Sequence, residues 1–412
     1  MSQLLSVSEA LEKILTEFSP VEEECIDLNQ VVGRVLAESI AAPLDLPPFN
    51  NSSMDGFAVR WRDVQEADRN FWIKLSVIAD IPAGQPTRTQ VGPGECARIM
   101  TGAELPVGAD AVVPVEYTDF SLRHSGTPAP DTVQVFRPVY EGAFIRLAGE
   151  DVQAGETLYH AGTRLRSQDV GFLAMLGIGS VKVYRKPKVA IIASGDELLP
   201  VDAPLTPGKI HESNSYTMIS LVEKYGGTPL NLGIAADQEE AIVEKLARAA
   251  EVGADLILTT AGVSVGAFDY VREVVEKNGR INFWRVNMRP GKPLAFGDYA
   301  GVPFIGLPGN PVSAYVGFEV FVRPALAKLA GLKDFHRATS RAILGESVES
   351  DGRESYLRAI LRTVDGKLIA HLAGHQGSGN LRSIVEANAL ILLPSGVKSL
   401  PAGAEVSAWM LD

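Results

Sequence analysis

Strand and helix patterns alternate along the chain after Pro187, and this alternation constrains the fold more than any other feature. Short continuous apolar runs, typical of strands buried on both faces, are separated by segments with helical spacing of apolar residues. Such alternation predicts a parallel sheet covered by helices on both faces, which is a doubly wound α/β domain. The predicted elements are the strand KVAIIAS, the helix TMISLVEKYGG, the strand TPLNLGI, the helix EEAIVEKLARAAEVG, the strand DLILTTA and the helix YVREVVEKNG.

The remaining segments have a different pattern of apolar residues, Pro and Gly from this α/β segment. Short β-rich runs separated by Pro and Gly follow Ala42, and helical spacing returns after Gly142. Past Gly331, apolar and polar residues alternate around Asp365-Gly366, a strong hairpin signal. We therefore predict a multidomain α/β protein with a discontinuous elongated domain (residues 1–42 and 142–180), a β-rich insert (43–141), the α/β domain (181–330) and a small C-terminal β domain (331–412).

Two helices carry clear end signals. Ser6 and Glu9 have capping-box spacing at the start of an amphipathic helix, and Asn310-Pro311 suit the start of a long helix that Gly331 ends. The first helix presents an apolar stripe, which predicts burial against another domain or a second chain. The residues of the stripe are Val7, Ala10, Leu11, Ile14, Leu15 and Phe18.

Composition excludes several classes of function. The 38 Lys and Arg against 50 Asp and Glu give a formal net charge of −12, so no broad basic face is expected and nucleic acid is not a predicted partner. Two cysteines are too few for a disulfide framework or a paired-cysteine zinc site, which fits a reducing cytoplasm. Neither a signal peptide nor a membrane-spanning apolar run is predicted, so we expect a cytoplasmic protein without membrane contact.

Two loops at the ends of predicted strands are candidates for ligand binding, residues 194–197 and 262–266. The second loop precedes a helix, so its backbone N–H groups suit an anion such as phosphate, although a tight strand-to-helix turn is the simpler alternative. Nearby Arg289 and Lys292 supply positive charge. Acidic residues recur in turns at Asp55, Asp151, Asp196, Glu197, Asp237 and Asp269, and together they suit Mg²⁺. The residues alone indicate a phosphorylated substrate with a divalent metal.

The loop GVSVG also matches the G-x-S-x-G nucleophile elbow, which makes a serine hydrolase using Ser264 a competing hypothesis. Its histidine would have to come from beyond the α/β domain, and this weakens the hypothesis. The three candidates are His336, His371 and His375.

Seven motifs taken together resemble the molybdopterin molybdenumtransferase family, which includes the E domain of gephyrin. They fall in three different segments, so their joint specificity is high although each alone is weak. The resemblance covers essentially the whole chain and makes the α/β domain molybdopterin-binding-like. The motifs are NSSMDG, RIMTGA, SGDEL, GVSVG with Asp269, RPGKP, GLPGNPVS and HQGSGNL.

The resemblance implies that adenylylated molybdopterin and molybdate react in the presence of Mg²⁺, giving the metallated cofactor and AMP. Carried over by motif, the residues expected to be catalytic are Asp55, Glu197, Asp237, Asp269 and Lys292, with Glu197, Asp237 and Asp269 also holding Mg²⁺. Residues expected to bind substrate are Thr101, Arg146, Asp151, Gly262, Ser264, Gly266, Arg289, Pro308, Pro311, Arg353 and Ser378. Of these, Arg353 and Ser378 join Lys292 as ligands for molybdate or the terminal phosphate.

The resemblance also implies a homodimer with shared sites, in which the second chain covers the apolar stripe of the first helix, and contact with molybdopterin adenylyltransferase. That adenylyltransferase activity and a non-catalytic gephyrin-like scaffold are the alternative functions. Two positions depart from the family pattern. Ala261 replaces the first glycine of the usual Gly-Gly, and Arg289 replaces the first lysine of K-P-G-K-P, so the preference between molybdate and tungstate stays open.

Overall fold

A computed structural model describes residues 4–120, 126–261 and 270–411. The chain divides into two compact units, and each is described by itself. The first comprises Met1–Glu38, Ala161–Val170 and Ser180–Asp412, and the second comprises Ser39–His160 and Gly171–Gly179. The finer division into four domains stays a prediction. Among the described residues, no helix combines the length and apolarity needed to cross a bilayer.

The first unit contains the predicted α/β sheet, with six strands. Four neighbouring strands are parallel to one another. The last two strands are added at one edge, and each is antiparallel to the strand before it in the sheet. In spatial order the strands are Thr228–Ala235, Lys188–Ser194, Leu256–Thr260, Val302–Leu307, Pro293–Tyr299 and Gly279–Arg285.

Helices cover both faces of this sheet, as the alternation predicts. Along the strand Lys188–Ser194, Val189 and Ile191 face one apolar core while Ala190 and Ile192 face another. The second core includes the helices Glu239–Glu251 and Tyr270–Asn278. The first core includes Asn214–Lys224 and the continuous helix made of Pro311–Gly317, the π-helical turn Phe318–Val322 and Arg323–Leu329.

The N-terminal helix Val7–Thr16 belongs to the first of these cores. Its capping box forms as predicted, and Val7, Ala10 and Ile14 are buried against the α/β core of the same chain. Lys328 Nζ donates to the carbonyl of Leu15 at 2.5 Å. The apolar stripe is therefore covered within the first unit, and the expectation that a second chain is needed to bury it is wrong.

A closed β-barrel follows the α/β sheet in the first unit. Its apolar core is separate from the other two, and the predicted Asp365-Gly366 hairpin forms with positive φ at both residues, 49° and 75°. The short strand Met288–Arg289 pairs with the barrel at Glu354–Ser355. The barrel strands are Thr339–Leu344, Glu354–Val364, Lys367–Leu372, Ala389–Leu393 and Glu405–Met410, with the helix Arg382–Glu386.

Three small two-stranded ladders complete the first unit. They are Glu23–Asp27 with Ser180–Tyr184, Leu198–Leu199 with Ile210–His211, and Val348–Glu349 with Ser399–Leu400.

The second unit is mainly β-structure, as the Pro- and Gly-separated runs predict. A five-stranded sheet forms its centre, in the order Ala111–Pro114, Gly56–Val59, Glu95–Ile99, Ile73–Ile81 and Thr132–Val135. Two short ladders accompany it, Ile40–Ala41 with Thr157–Tyr159 and Asn51–Ser52 with Ile145–Arg146. Its helix is Trp61–Val64, and the helix Ser167–Met175 begins in the first unit and ends in the second.

Candidate functional site

A cavity of 670 Å³ opens at the carboxyl ends of the parallel strands. It is lined by Ser194 and Thr260, the last residues of two adjacent strands, and by Pro308 just after a third. The chain leaves these first two strands toward opposite sides of the sheet. This is a topological switch point, where open α/β sheets bind their ligands.

The N-terminal ends of two helices also face this cavity. Asn214, the first residue of one helix, donates from Nδ2 to the carbonyl of Gly309 at 2.8 Å, next to the start of the other helix. Asn310 occupies the N-cap position of that second helix, without a side-chain capping hydrogen bond, and Pro311 occupies its first turn, as predicted. The dipoles of both helices favour an anion here.

Positive charge is concentrated in the cavity, although the whole chain is acidic. Four cationic side chains line it, against the carboxylates of Glu197 and Glu212. Those of Arg289 and Lys292 make no hydrogen bond or ion pair with any residue that the structure describes. The other two cations are Arg353 and Arg358. Two unneutralised cations next to two helix ends form a site suited to a multivalent oxyanion.

Arg353 is already partly neutralised. Its Nη2 lies 2.5 Å from Asp351 Oδ2, and its Nη1 donates to the carbonyl of Met288 at 3.0 Å. The hydrogen bond from Arg353, with further help from its charge, lowers the pKa of Asp351. Ser378, the other predicted oxyanion ligand, is fixed by the bond from the Val312 N–H to its carbonyl at 3.1 Å. Arg353 and Ser378, the two residues predicted to bind an oxyanion together with Lys292, both line the cavity.

Arg358 is a buried cation in this cavity that the sequence analysis missed. It is only 1% exposed, and its Nε donates to Ser383 Oγ at 3.0 Å. Its Nη2 donates to the carbonyls of His375 and Gly377 at 3.3 and 3.1 Å, which supports the loop before Ser378. Burial, with repulsion from Arg289, lowers the pKa of Arg358 to about 10.

No periodicity in the sequence could have identified Arg358. In the strand Glu354–Val364, the residues Leu357, Ala359 and Leu361 point into the barrel core. Strict alternation therefore places Arg358 on the outer face, where an arginine is usually solvated. Its side chain is instead hydrogen-bonded to the loop at His375–Gly377 and to Ser383 of the helix Arg382–Glu386.

Of the predicted metal carboxylates, Glu197 lines the cavity, and Asp237 lies close to Glu197 and Asp196. Asp196 and Asp237 cap each other, since the Asp237 N–H donates to Asp196 Oδ1 at 3.1 Å and the Asp196 N–H donates to Asp237 Oδ2 at 3.3 Å. Burial, together with repulsion from Asp196 and Glu197, raises the pKa of Asp237. The three carboxylates are therefore close enough to repel one another, but they do not by themselves form a three-ligand metal site. Asp196 is thus a neighbour of Glu197 and Asp237, the two described residues that were predicted to hold the metal.

Four predicted residues lie outside the described residues, namely Gly262, Ser264, Gly266 and Asp269. The anion-loop, metal and hydrolase hypotheses that rest on them therefore stay predictions. Within the described ranges, no group of three His, Cys, Asp or Glu is arranged to hold a metal ion.

The remaining predicted residues all lie in the second unit, as two local pairs. Asp55 Oδ1 accepts from the N–H and the Oγ1 of Thr101 at 2.8 and 2.7 Å. Arg146 Nη2 lies 2.5 Å from Asp151 Oδ2, and both residues line a separate cavity of 300 Å³. Arg146 and Asp151 are each about half exposed, at 47% and 54%, so this ion pair contributes little to stability. Its exposed charges are available for a ligand.

Ala261 carries backbone strain at the start of the loop that follows the strand Leu256–Thr260. Its φ is 77°, in the left-handed region that favours glycine. We expect Ala261→Gly to stabilise the protein by roughly 0.5 to 1 kcal/mol, because the strain relieved exceeds the backbone entropy that glycine loses. The urea midpoint of unfolding measures this. Ala203→Gly, at an alanine without positive φ, should lower the midpoint, and an equal decrease in both variants would refute the strain.

Three family profiles match the chain in order. One described as the MoeA N-terminal region (domain I and II) matches residues 5–177, and a probable molybdopterin binding domain matches residues 190–328. The MoeA C-terminal region (domain IV) matches residues 341–411.

Named relatives and solved structures are similar over nearly the whole chain. A molybdopterin molybdenumtransferase of Nostoc sp. is 38% identical over 395 residues, covering 94% of this chain and 88% of that protein. One from Haemophilus influenzae is 36% identical over 412 residues, covering 98% of each. The crystal structure of the molybdopterin biosynthesis MoeA protein from Pyrococcus horikoshii is 33% identical, with a TM-score of 0.83, covering 99% of this chain and 100% of that one.

Proposed function

Because this chain belongs to the molybdopterin molybdenumtransferase family, a family of enzymes in molybdenum cofactor biosynthesis, we propose that its 670 Å³ cavity inserts molybdate into adenylylated molybdopterin and releases AMP. The observation that carries this assignment to the cavity is the pair of unneutralised cations, Arg289 and Lys292, between two helix N-terminal ends. A purely structural scaffold does not need unpaired cations at such a place.

The cations, Ser378 and the helix ends are proposed to hold the two anionic reactants. Molybdate is a tetrahedral oxyanion, and charge-assisted hydrogen bonds from Lys292 and Arg353 suit its oxygen atoms. Arg353 also contacts Asp351, so Lys292 is the stronger electrostatic ligand of the two. Arg358 acts as a positioning residue, because it fixes the carbonyls of the loop that leads to Ser378.

The carboxylates Asp196, Glu197 and Asp237, with Asp269, are proposed to hold Mg²⁺. A bound Mg²⁺ ion would offset the negative charge of the pyrophosphate linkage in the adenylylated substrate. Without a cation, the raised pKa of Asp237 shows that its charged form is already disfavoured in this group. The described carboxylates alone are not arranged as a three-ligand metal site, so the proposal includes Asp269 as a further oxygen ligand.

We further propose a homodimer in which the second unit of one subunit completes the cavity of the other. Four residues that the family resemblance assigns to the site lie in the second unit, where they form two pairs with exposed charged groups. The other assigned residues that the structure describes lie at or beside the cavity of the first unit. This separation supports a shared site. The four are Asp55, Thr101, Arg146 and Asp151. Contact with molybdopterin adenylyltransferase, which would supply the substrate, and a cytoplasmic location, which suits a chain with two cysteines, complete the proposal.

We expect purified protein to release AMP from adenylylated molybdopterin only when both molybdate and Mg²⁺ are present. The physical reason is that the carboxylates repel the pyrophosphate until a cation lies between them. AMP is measured by chromatography after addition of each component alone and together. Equal AMP release in excess chelator would refute the metal role, and AMP release without molybdate would refute the coupled reaction.

A further inference from the structure

A second cavity in the first unit, of 260 Å³, shares no lining residue with the one described above. Its lining includes two cationic side chains, those of Arg164 and Arg323. The other lining residues are Tyr225, Ala327, Leu332, Asp334, Phe335 and His336. Nothing in the proposed reaction uses these residues. The cavity is smaller than typical sites for drug-sized ligands, so its size favours a small ion or group.

The carboxylate of Glu319 lies beneath this cavity and is already engaged. It is fully buried, it accepts from Arg337 Nη1, and it accepts from the hydroxyl of Tyr225 at 3.0 and 3.2 Å. Arg323 Nε lies 3.7 Å away from it, within ion-pair distance but beyond hydrogen-bond distance. The Glu319 carboxylate is thus shared by the guanidinium groups of Arg337 and Arg323, and Arg337 makes the closer contact.

Arg323 and Arg164 are left without acceptors. The Nε atoms of both are buried and have no hydrogen-bond partner among the described residues, where only five buried side-chain polar atoms are in this state. Burial lowers the pKa of each, and for Arg323 the nearby charges of Arg337 and Arg164 lower it further while Glu319 opposes this. Buried polar groups almost always have hydrogen-bond partners, so two guanidinium groups with unsatisfied Nε atoms in one cavity suit an anion as the missing acceptor.

The charges around the cavity do not balance. If Glu319 is assigned to Arg337, the guanidinium groups of Arg164 and Arg323 leave two positive charges. The carboxylate that remains is that of Asp334, an exposed side chain in the wall whose Oδ1 accepts from the His336 N–H at 3.1 Å. Even with Asp334 counted, one positive charge remains without a counter-charge among the residues that line this cavity.

We propose that this second cavity binds a small tetrahedral oxyanion of the phosphate class, held by Arg164 and Arg323. A phosphate group presents several acceptor oxygens, and arginine N–H groups match them in planar, charge-assisted pairs. The ligand is either free phosphate or the terminal phosphate of a monoester, since both present the same oxygens.

Calorimetric titration of the full chain tests this proposal. The cavity at Lys292 also favours anions, so the titration uses the Lys292→Ala/Arg353→Ala double variant as background, at constant ionic strength near neutral pH. Inorganic phosphate should bind saturably with one site per chain. Arg164→Gln in this background should weaken binding by at least about tenfold, because one charge-assisted contact is lost. Arg341→Gln, at an arginine whose side chain is 82% exposed, serves as the matched control and should not change binding.

A second variant keeps the test decisive if Arg164→Gln fails to fold. Ala327→Leu fills the cavity without changing charge and should abolish binding. Methyl phosphate as a second probe separates the two sources: binding of both probes identifies a terminal phosphate, and binding of inorganic phosphate alone identifies the free ion. Absence of saturable phosphate binding in the background variant, or equal affinity after Arg164→Gln or Ala327→Leu, would overturn the proposal.

Discussion

Lys292→Ala is expected to lower molybdate-dependent AMP release about 100-fold, the order of loss seen when one preorganised donor to a developing negative charge is removed. Lys292 is exposed in the cavity, and its ammonium group has no partner among the described residues. Its loss should therefore leave the fold intact while removing charge from the oxyanion site. Initial rates of AMP release at saturating Mg²⁺, with thermal unfolding measured in parallel, provide the check.

Lys367→Ala is the matched control, because Lys367 is an exposed lysine in the barrel hairpin away from the cavity lining. It should retain the parental rate. Raising the molybdate concentration should partly restore the Lys292→Ala rate if the lysine binds molybdate. A Lys292→Ala variant with parental rates would remove this residue, and the unpaired charge it carries, from the proposed site.

Mixing Asp55→Ala with Lys292→Ala should restore about a quarter of the parental AMP release, although each variant alone is inactive. If the dimer is two-fold symmetric and its sites are shared, random mixing makes half of the dimers mixed, and each mixed dimer has one intact site of two. The variants are unfolded together, refolded and assayed against the same amounts refolded separately. Light scattering should report a mass of about twice 44.1 kDa.

A mixture of Lys292→Ala with Arg353→Ala provides the control for this experiment. Both side chains line the same cavity of one chain, so every mixed dimer has two damaged sites and no activity should return. A fully active monomer would refute the shared site. A dimer that shows no recovery with Asp55→Ala would place every catalytic residue of a site within one chain.

The sequence predicts the α/β core well, because its signals are local. Strand lengths, helix spacing and the end signals at Ser6, Asn310 and Gly331 depend on neighbouring residues, and the structure confirms them. The same holds for the Asp365-Gly366 hairpin. The antiparallel pairing of Pro293–Tyr299 with both of its neighbours was not predicted, since an apolar run does not encode which neighbour it pairs with.

The same distinction holds for the candidate site: residues in short motifs could be predicted, and residues whose burial depends on distant segments could not. Arg289, Lys292 and Glu197 belong to short motifs that can be read from neighbouring residues, and all three line the cavity. Arg358 was missed because its burial depends on what packs outside the barrel. The partner of the N-terminal stripe was assigned wrongly for the same reason, since the stripe alone shows that cover is needed and not which segment provides it.

The burial of Val7–Thr16 against the helix that ends at Leu329 has a consequence for the order of events during synthesis. The ribosome makes the amphipathic helix before the helix that covers it, which emerges more than 300 residues later. At a translation rate of about 5 to 20 residues per second, the apolar stripe stays uncovered for roughly 15 to 60 s. During that interval it is a natural binding site for chaperones, and the α/β core closes only near the end of translation.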